Sequence, residues 1–114
     1  MQKELAKQIQ LAVDILKKGG IVAFPTDTVY GLGASIIQEN AARKIYLMKQ
    51  RKHSVPLPIF LADIKQLGEV ISPVTRIIDC LGKYFWPGAV TIIGHKSPQI
   101  SHVITAGGNT IAVR

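Results

Sequence analysis

The chain has 114 residues, of which 47% are hydrophobic and 18% charged, and its 14 Lys and Arg against 7 Asp and Glu give a formal net charge of +7. This length is typical of a single domain, and the apolar content excludes an intrinsically disordered chain. The apolar runs are too short to cross a bilayer and there is no signal-peptide core, which predicts a cytoplasmic protein with no membrane partner. One cysteine cannot form an internal disulfide, and with three scattered histidines it predicts no metal site.

The first predicted element is an amphipathic helix over residues 2–18. Its apolar residues recur at spacings of three and four, and they are Leu5, Ile9, Ala12, Val13 and Leu16. Gly19-Gly20 ends the helix, because glycine readily takes the left-handed conformation of a helix stop. The wholly apolar run Ile21–Phe24 predicts a strand buried on both faces. A helix followed directly by a buried strand indicates an α/β arrangement.

The segment Phe24–Ala34 carries three hydroxyl side chains at alternate positions. These are Thr26, Thr28 and Tyr30. If the segment is extended, as Pro25 and the β-branched residues favour, the three hydroxyls lie on one face. Gly31 and Gly33 then allow close approach of a ligand. Hydroxyls without a titratable nucleophile suit the orientation of a polar ligand, and the alternative is a strand with ordinary threonines.

A second helix is predicted over residues 39–49. Its inner side is expected to consist of Ala42, Ile45, Tyr46 and Met48. Five of the 14 cations fall within ten residues on and after this helix, namely Arg43, Lys44, Lys49, Arg51 and Lys52. Such a cluster raises affinity for phosphates, and the alternative is a solvated helix face.

Lys49 and Arg51 are the two cations of this cluster that we single out as an anion clamp. Positions two apart on a helix diverge by about 200°, so the helix must end near Lys49 if both are to hold one anion. Ser54-Val55-Pro56 supports an irregular segment there. The Arg fork and the Lys point charge would then hold a phosphate together. The alternative is two solvated cations.

The second half of the chain contains three predicted strands and a third helix. The strands are Pro56–Ala62, Val90–Gly94 and Thr110–Val113. Ser72-Pro73 is expected to cap the helix and occupy its first position. The apolar positions of this helix are Val74, Ile77, Ile78, Leu81 and Tyr84, and Phe85-Trp86-Pro87-Gly88 closes it. Cys80 on the same helix is expected to be buried.

Several of these segments resemble the motifs of one enzyme family. They are Pro25-Thr26-Asp27-Thr28-Val29-Tyr30-Gly31-Leu32, Lys49-x-Arg51 with Pro56-Leu57, Phe85-Trp86-Pro87-Gly88-Ala89-Val90-Thr91, and Thr110-Ile111-Ala112-Val113-Arg114. In this order they resemble the YrdC-type threonylcarbamoyl-AMP synthase family over nearly the whole chain. Four motifs in register make the resemblance specific.

The resemblance implies a fold, a reaction and a set of site residues. The fold would be an open, twisted α/β sheet with flanking helices and a positively charged concave surface. The reaction would condense L-threonine, bicarbonate and ATP, with magnesium, to threonylcarbamoyl-AMP and pyrophosphate for tRNA modification. The threonine pocket would consist of Thr26, Thr28 and Tyr30. Lys49 and Arg51 would be catalytic and contact the ATP phosphates, and Arg114 would lie near the nucleotide.

The sequence also departs from the family pattern. The family carries a Ser-x-Asn motif downstream of the last strand, and no Ser-x-Asn occurs in these 114 residues. We therefore expect residues 1–114 to be a partial, C-terminally truncated YrdC-like domain with impaired or absent synthase activity. Val55 stands where the family usually has lysine, so one anion contact is expected to be missing.

Two other functions are compatible with the sequence. The basic concave face could make the chain a binding module for double-stranded RNA or tRNA, working beside tRNA-modification proteins. A YrdC-like module also occurs in a carbamoyltransferase of hydrogenase maturation, although the chain lacks the zinc-finger cysteines of that protein.

Overall fold

A computed structural model of the chain describes residues 1–114. The contacts between residues group them into two compact units, Met1–Arg51 and Lys52–Arg114, which we describe in turn. Each unit combines helices with one antiparallel pair of strands, so the predicted mixture of α and β structure is confirmed. None of the helices is both long enough and apolar enough to cross a membrane.

The first helix, α1, spans Gln2–Lys17 as predicted. It ends where expected, because Gly19 has a φ angle of 82°, which only glycine adopts without strain. No residue of α1 is buried, and Leu5 and Ile9 of its apolar face are 57% and 56% exposed. The apolar spacing therefore predicts the helix correctly but does not predict its burial.

A short hairpin follows α1. Strand β1 (Val22–Phe24) pairs antiparallel with β2 (Gly31–Gly33). The predicted strand Ile21–Phe24 therefore exists, but it is not buried on both faces, since Ala23 is exposed and its neighbours are half-buried. The sequence did not predict β2, which lies inside the segment expected to be continuously extended.

Helix α2 (Glu39–Met48) supplies the buried side chains of the first unit. They are Ala41, Ala42, Ile45 and Tyr46. The expected inner residues agree except for Met48, which lies at the last turn and is exposed. The side-chain amide of Gln38, just before α2, donates to the carbonyl of Lys17 at 3.1 Å and so joins α2 to the end of α1.

In the second unit, the predicted strand Pro56–Ala62 is reduced to one bridge beside strand β4 (Thr110–Val113). The N–H of Ile59 donates to the carbonyl of Ala112 at 2.8 Å, and the N–H of Arg114 donates to the carbonyl of Ile59 at 2.9 Å. The two prolines of this stretch have no N–H group and cannot extend a regular ladder.

A 3₁₀ turn (Ile64–Gln66) and a short helix, α3 (Leu67–Val70), come next, and the sequence analysis missed both. Asp63 caps the turn, since its carboxylate accepts from the N–H of Lys65 at 2.9 Å. The amide oxygen of Gln66 accepts in return from the N–H of Asp63 at 3.2 Å. This reciprocal capping box was readable from the sequence as an acidic residue followed three positions later by glutamine.

Helix α4 spans Arg76–Phe85. It ends before Trp86 as predicted, but it begins three residues after Pro73, the predicted first position. The prediction that Ser72 caps it is wrong, because the hydroxyl of Thr75 accepts from the N–H of Ile78 at 3.3 Å. The N–H of Ser72 instead donates to the carbonyl of His95 at 3.0 Å. This hydrogen bond supports the bridge that pairs Ile71 with Lys96.

The face of α4 that packs inward differs from the predicted one. Gly82 is buried, whereas Ile77 and Tyr84 are 72% and 82% exposed. Cys80 is also exposed, so its predicted burial is wrong. The apolar residues of α4 lie along one side of the helix, but the helix packs through the edge of that side that carries Ile78 and Gly82. Their spacing therefore locates the apolar side without fixing which of its residues meet the core.

Strand β3 (Ile92–His95) begins two residues later than predicted and pairs antiparallel with β4, placing Ile92 opposite Val113. The core of the second unit forms around this pair. Its buried apolar residues are Ile59, Leu67, Val70, Ile71, Ile92, Ile100, Ile104, Ile111 and Val113.

Candidate functional site

The loop between β1 and β2 is organised by the hydroxyl group of Thr26. Its oxygen accepts from the N–H of Thr28 at 3.2 Å and from the N–H of Val29 at 3.1 Å. The same hydroxyl donates to the carbonyl of Val29. One side chain thus satisfies three backbone groups, and the loop forms a Ser/Thr-type turn.

This turn corrects the predicted arrangement of the three hydroxyls. Residues 27–29 bend instead of continuing the strand, so the side chains do not alternate along one extended face. The structure nevertheless brings Thr26 and Thr28 together, with 3.3 Å between their hydroxyl oxygens. Tyr30 stands apart from them, 78% exposed and without a hydrogen bond.

Gly33 does not provide the open approach for a ligand that the sequence suggested. A Cβ atom at this position would lie 2.5 Å from Cε1 of Phe24, because the ring of Phe24 covers the glycine. At Gly31 a Cβ would meet Phe24 and Thr26 at ordinary distances of 3.7 and 3.8 Å. The glycine at position 33 therefore serves the packing of the hairpin.

Two of the five clustered cations on and after α2 are held in structural contacts. The guanidinium of Arg43 pairs with the carboxylate of Glu39 at 2.8 Å, one turn earlier on the exposed side of the helix. The ammonium of Lys44 donates to the carbonyl of Gly19 at 3.3 Å. These contacts stabilise α2 and the end of α1.

Lys49 and Arg51 lie at the end of α2, where the sequence predicted that the helix must stop. The N–H of Lys49 still donates to the carbonyl of Ile45, at 3.0 Å. Gln50 has a φ angle of 50°, which turns the chain out of the helix. Arg51 is half-buried and Lys49 is exposed. The predicted helix end is therefore confirmed.

Tyr46 connects this helix end to the buried side of α2. Burial raises the pKa of its phenol, and the positive charge of Arg51 opposes that rise. The guanidinium of Arg51 is thus close enough to Tyr46 to influence its ionisation. The sequence predicts Tyr46 only as a core residue, since nothing in it signals the electrostatic interaction with Arg51.

Arg114 belongs to the second unit. Its guanidinium carbon lies 4.9 Å from the centroid of the Phe60 ring, within cation–π range. Its carbonyl accepts from the N–H of Leu61 at 2.8 Å. Backbone and side chain are therefore both attached to the segment before α3.

Hydroxyl groups can orient a polar ligand, and Lys and Arg side chains can neutralise an anion. The first unit offers paired hydroxyls at Thr26 and Thr28 and cations at Lys49 and Arg51. No group of three His, Cys, Asp or Glu side chains in the chain could hold a metal ion. Such residue types serve alignment and electrostatic stabilisation of a reaction.

A family model and the named relatives of this chain all point to the same protein family. The family model for Sua5, YciO and YrdC, described as telomere recombination, matches residues 14–114. The threonylcarbamoyl-AMP synthase of Pyrococcus abyssi is 41% identical over 107 residues. The Bacillus subtilis protein of the same name is 44% identical over 108 residues. Each alignment covers 94% of this chain, which spans about a third of the length of these relatives, 32% and 31%.

Solved structures share the fold. Pyrococcus abyssi Sua5, crystallised in complex with L-threonine, matches with a TM-score of 0.89 at 41% identity, over 93% of this chain and 31% of that one. E. coli YciO matches with a TM-score of 0.82 at 28% identity, over 95% of this chain and 52% of that one. The YrdC-like fold that the sequence predicts is thereby confirmed.

Proposed function

Because the chain belongs to the Sua5/YciO/YrdC family, we propose that it takes part in the synthesis of threonylcarbamoyl-AMP. In this reaction L-threonine, bicarbonate and ATP yield the adenylate, pyrophosphate and the water lost when the amine of threonine is carboxylated, which makes the enzyme a nucleotidyltransferase. The product would serve the threonylcarbamoyladenosine modification of tRNA in the cytoplasm. The observation that carries the proposal is the hydroxyl turn at Thr26 and Thr28, in a chain with the fold of a protein crystallised with L-threonine.

The residues divide into two groups by chemistry. Thr26, Thr28 and Tyr30 would line the threonine pocket. The hydroxyls of Thr28 and Tyr30 would donate to the carboxylate of threonine and accept from its ammonium. The hydroxyl of Thr26, which donates to the carbonyl of Val29, would hold the turn that presents Thr28. The cations Lys49, Arg51 and Arg114 would contact the nucleotide. These roles are assigned from the resemblance of the motifs to those of the family.

The chemistry needs positioning and fixed positive charge. An oxygen of the carboxylated threonine attacks the α-phosphorus of ATP, the bond to the bridging oxygen breaks, and pyrophosphate leaves. Negative charge on the phosphate oxygens increases during this displacement. Lys49 as a point charge and Arg51 as a bidentate fork would stabilise that charge and also hold the carboxylated amino acid in line. No protein nucleophile is required.

The protein residues do not fit a resident magnesium ion, since the chain has no cluster of acidic or imidazole ligands. We therefore propose that magnesium arrives bound to the phosphates of ATP and leaves with pyrophosphate. The charge of that ion would add to the charges of Lys49 and Arg51.

We also propose that residues 1–114 form part of the synthase domain. The chain aligns with about a third of each of the two named relatives. Turnover by these residues alone is therefore expected to be weak or absent, whereas threonine binding by the hydroxyl turn can be measured separately.

The test is calorimetric titration of L-threonine into three proteins: wild type, Thr28→Ala and Thr110→Ala. Thr28→Ala removes a hydroxyl but keeps the backbone N–H that donates to Thr26. We expect it to weaken threonine affinity about ten-fold, equivalent to about 1.4 kcal/mol for one lost hydrogen bond. Thr110 is an exposed threonine in the second unit and should not affect binding. Equal affinity in all three proteins, or no binding to wild type, would refute the proposal.

RNA binding is the competing function, supported by the net charge of +7. An RNA-binding module should bind double-stranded RNA with an affinity that falls steeply with salt and that Thr28→Ala leaves unchanged. L-threonine binding that Thr28→Ala weakens would instead support the synthase. Measuring RNA binding and threonine binding on the same preparation distinguishes the two functions.

A further inference from the structure

The end of helix α2 forms a closed hydrogen-bonding motif with a glutamine where glycine is usual. The N–H of Gln50 donates to the carbonyl of Leu47 at 3.2 Å, and the N–H of Arg51 donates to the carbonyl of Tyr46 at 2.9 Å. These two bonds and the φ angle of 50° at Gln50 define a Schellman motif. A residue with a side chain adopts such a φ angle uncommonly.

Helix α1 ends with the same motif and serves as an internal comparison. There the N–H of Gly19 donates to the carbonyl of Leu16 at 3.1 Å, and the N–H of Gly20 donates to that of Ile15 at 2.8 Å. Glycine occupies the left-handed position of α1, with a φ angle of 82°. The two helices thus end in the same turn. In α2 the left-handed position, between the candidate anion-binding residues Lys49 and Arg51, is occupied by a residue with a side chain.

The motif determines which groups at this helix end remain available to an anion. Consecutive N–H groups around a left-handed residue often form an anion-binding concavity. Here the N–H groups of Lys49, Gln50 and Arg51 are all bonded to helix carbonyls, at 3.0, 3.2 and 2.9 Å. Anion recognition at this helix end therefore depends on the side chains of Lys49 and Arg51.

The motif also fixes the backbone position of Arg51. Its N–H is bonded to the carbonyl of Tyr46, a residue that is 1% exposed, so the backbone of Arg51 is anchored to the buried side of α2. A continued helix would separate the side chains of Lys49 and Arg51 by about 200°. The left-handed residue between them removes that constraint.

We propose that Gln50 is a positioning residue, whose left-handed backbone sets the directions in which Lys49 and Arg51 leave α2 toward a common phosphate ligand. This inference rests on the proposed function, because it takes Lys49 and Arg51 as the phosphate contacts. The exposed side chain of Gln50 has no chemical part. Its backbone conformation positions the two cations, so the ATP affinity of variants at position 50 should follow how well each substituted residue tolerates a positive φ angle.

The experiment is calorimetric titration of ATP into Gln50→Gly, Gln50→Asn and Gln50→Val. Glycine and asparagine tolerate positive φ, whereas β-branched valine does not. We expect the first two variants to bind ATP within two-fold of wild type and the valine variant to bind at least ten-fold more weakly. Gln8→Val is the matched control, since it makes the same change at an exposed position within α1, and it should leave affinity unchanged.

A purely structural role would lower the melting temperature of Gln50→Val while the folded protein kept its ATP affinity, and that result would overturn the proposal. Gln50→Thr, also β-branched but polar, replaces valine if that variant does not fold.

Hydrogen exchange at the Arg51 amide separates this inference from the proposed function. The amide should be protected in wild type, Gln50→Gly and Gln50→Asn, and unprotected in the β-branched variants. If wild type binds no ATP, the proposed function fails. If the Arg51 amide is equally protected in every variant, the conformational role of Gln50 is refuted, whatever the result for ATP.

Discussion

Tyr46 shows how one buried residue makes stability depend on pH. Burial raises the pKa of its phenol above that in the unfolded chain, so the folded state holds the proton more tightly. The stabilisation is complete below about pH 10, the pKa of an unperturbed tyrosine, and is lost as pH rises through the folded pKa. We expect the free energy of unfolding to fall above pH 10 with a slope of up to about 1.4 kcal/mol per pH unit.

Urea denaturation between pH 9 and pH 11 measures that slope, which should be shallower in Tyr46→Phe. Tyr30→Phe is the control, because Tyr30 is exposed and should leave the slope unchanged. Lys83 contributes to the alkaline loss in all three proteins, since its hydrogen bond to Asp79 raises the pKa of its ammonium. Identical slopes for both variants would contradict the assignment to Tyr46.

At the residue scale, the sequence predicted the chemical groups better than their geometry. It placed Thr26 and Thr28 together, and their hydroxyls do lie 3.3 Å apart. The cause is different, because the hydroxyl of Thr26 competes for backbone N–H groups and bends the chain. Gln50 could not be predicted, since glutamine carries no local preference for positive φ and only the hydrogen bonds of the helix end impose it.

At the scale of secondary-structure elements, the start of α4 provides a direct test. The hydroxyl of Thr75 caps this helix, whereas the sequence pointed to Ser72. Thr75→Ala should destabilise the protein by about 1 kcal/mol, the usual cost of a lost N-cap. Ser72→Ala should cost less than about 0.5 kcal/mol, because its side chain makes no hydrogen bond.

Thermal unfolding followed by circular dichroism compares these two variants with Thr75→Ser, which keeps the capping hydroxyl and should resemble wild type. A larger loss in Ser72→Ala than in Thr75→Ala would show that the helix begins earlier than the structure has it.

The elements that the sequence predicted well are the longer helices. Helices α1 and α2 were placed within a residue of their ends, because several turns of apolar spacing define each of them. Strand β2 was missed since it has only three residues, too few for an alternating pattern. The stretch at 56–62 was overestimated, because its apolar composition suits a strand while its prolines prevent a ladder.

At the scale of the whole molecule, the exposed apolar side chains predict self-association. In the second unit Ile77, Tyr84 and Ile93 are 72%, 82% and 68% exposed. Apolar surface of this kind favours contact with another protein surface over contact with water. We expect the sedimentation coefficient to rise with protein concentration and to rise less in the double variant Ile77→Lys, Tyr84→Lys.

The control is the double variant Thr91→Lys, Asn109→Lys, which adds the same two charges to the second unit at exposed polar positions and should leave association closer to that of wild type. A sedimentation coefficient of wild type that does not depend on concentration would contradict the prediction.

The organisation of the whole chain was the least predictable level. Length and composition predict one partial domain, which stays a prediction, and they do not predict that the contacts group the residues into two compact units with a boundary after Arg51. No change of composition marks that position, since cations continue on both sides of it. Family membership depended on motifs spread along the chain, and comparison with solved structures confirmed it.

The contact between Phe24 and Gly33 links the evolutionary histories of these two positions. Because the ring lies where a Cβ at position 33 would be, a side chain at 33 requires the ring to shift or residue 24 to become smaller. Gly33→Ala should therefore be harmful alone and better tolerated in a Phe24→Val background. A smaller residue at position 24 would thus open the way to a side chain at position 33, and the effect of the second mutation depends on the first.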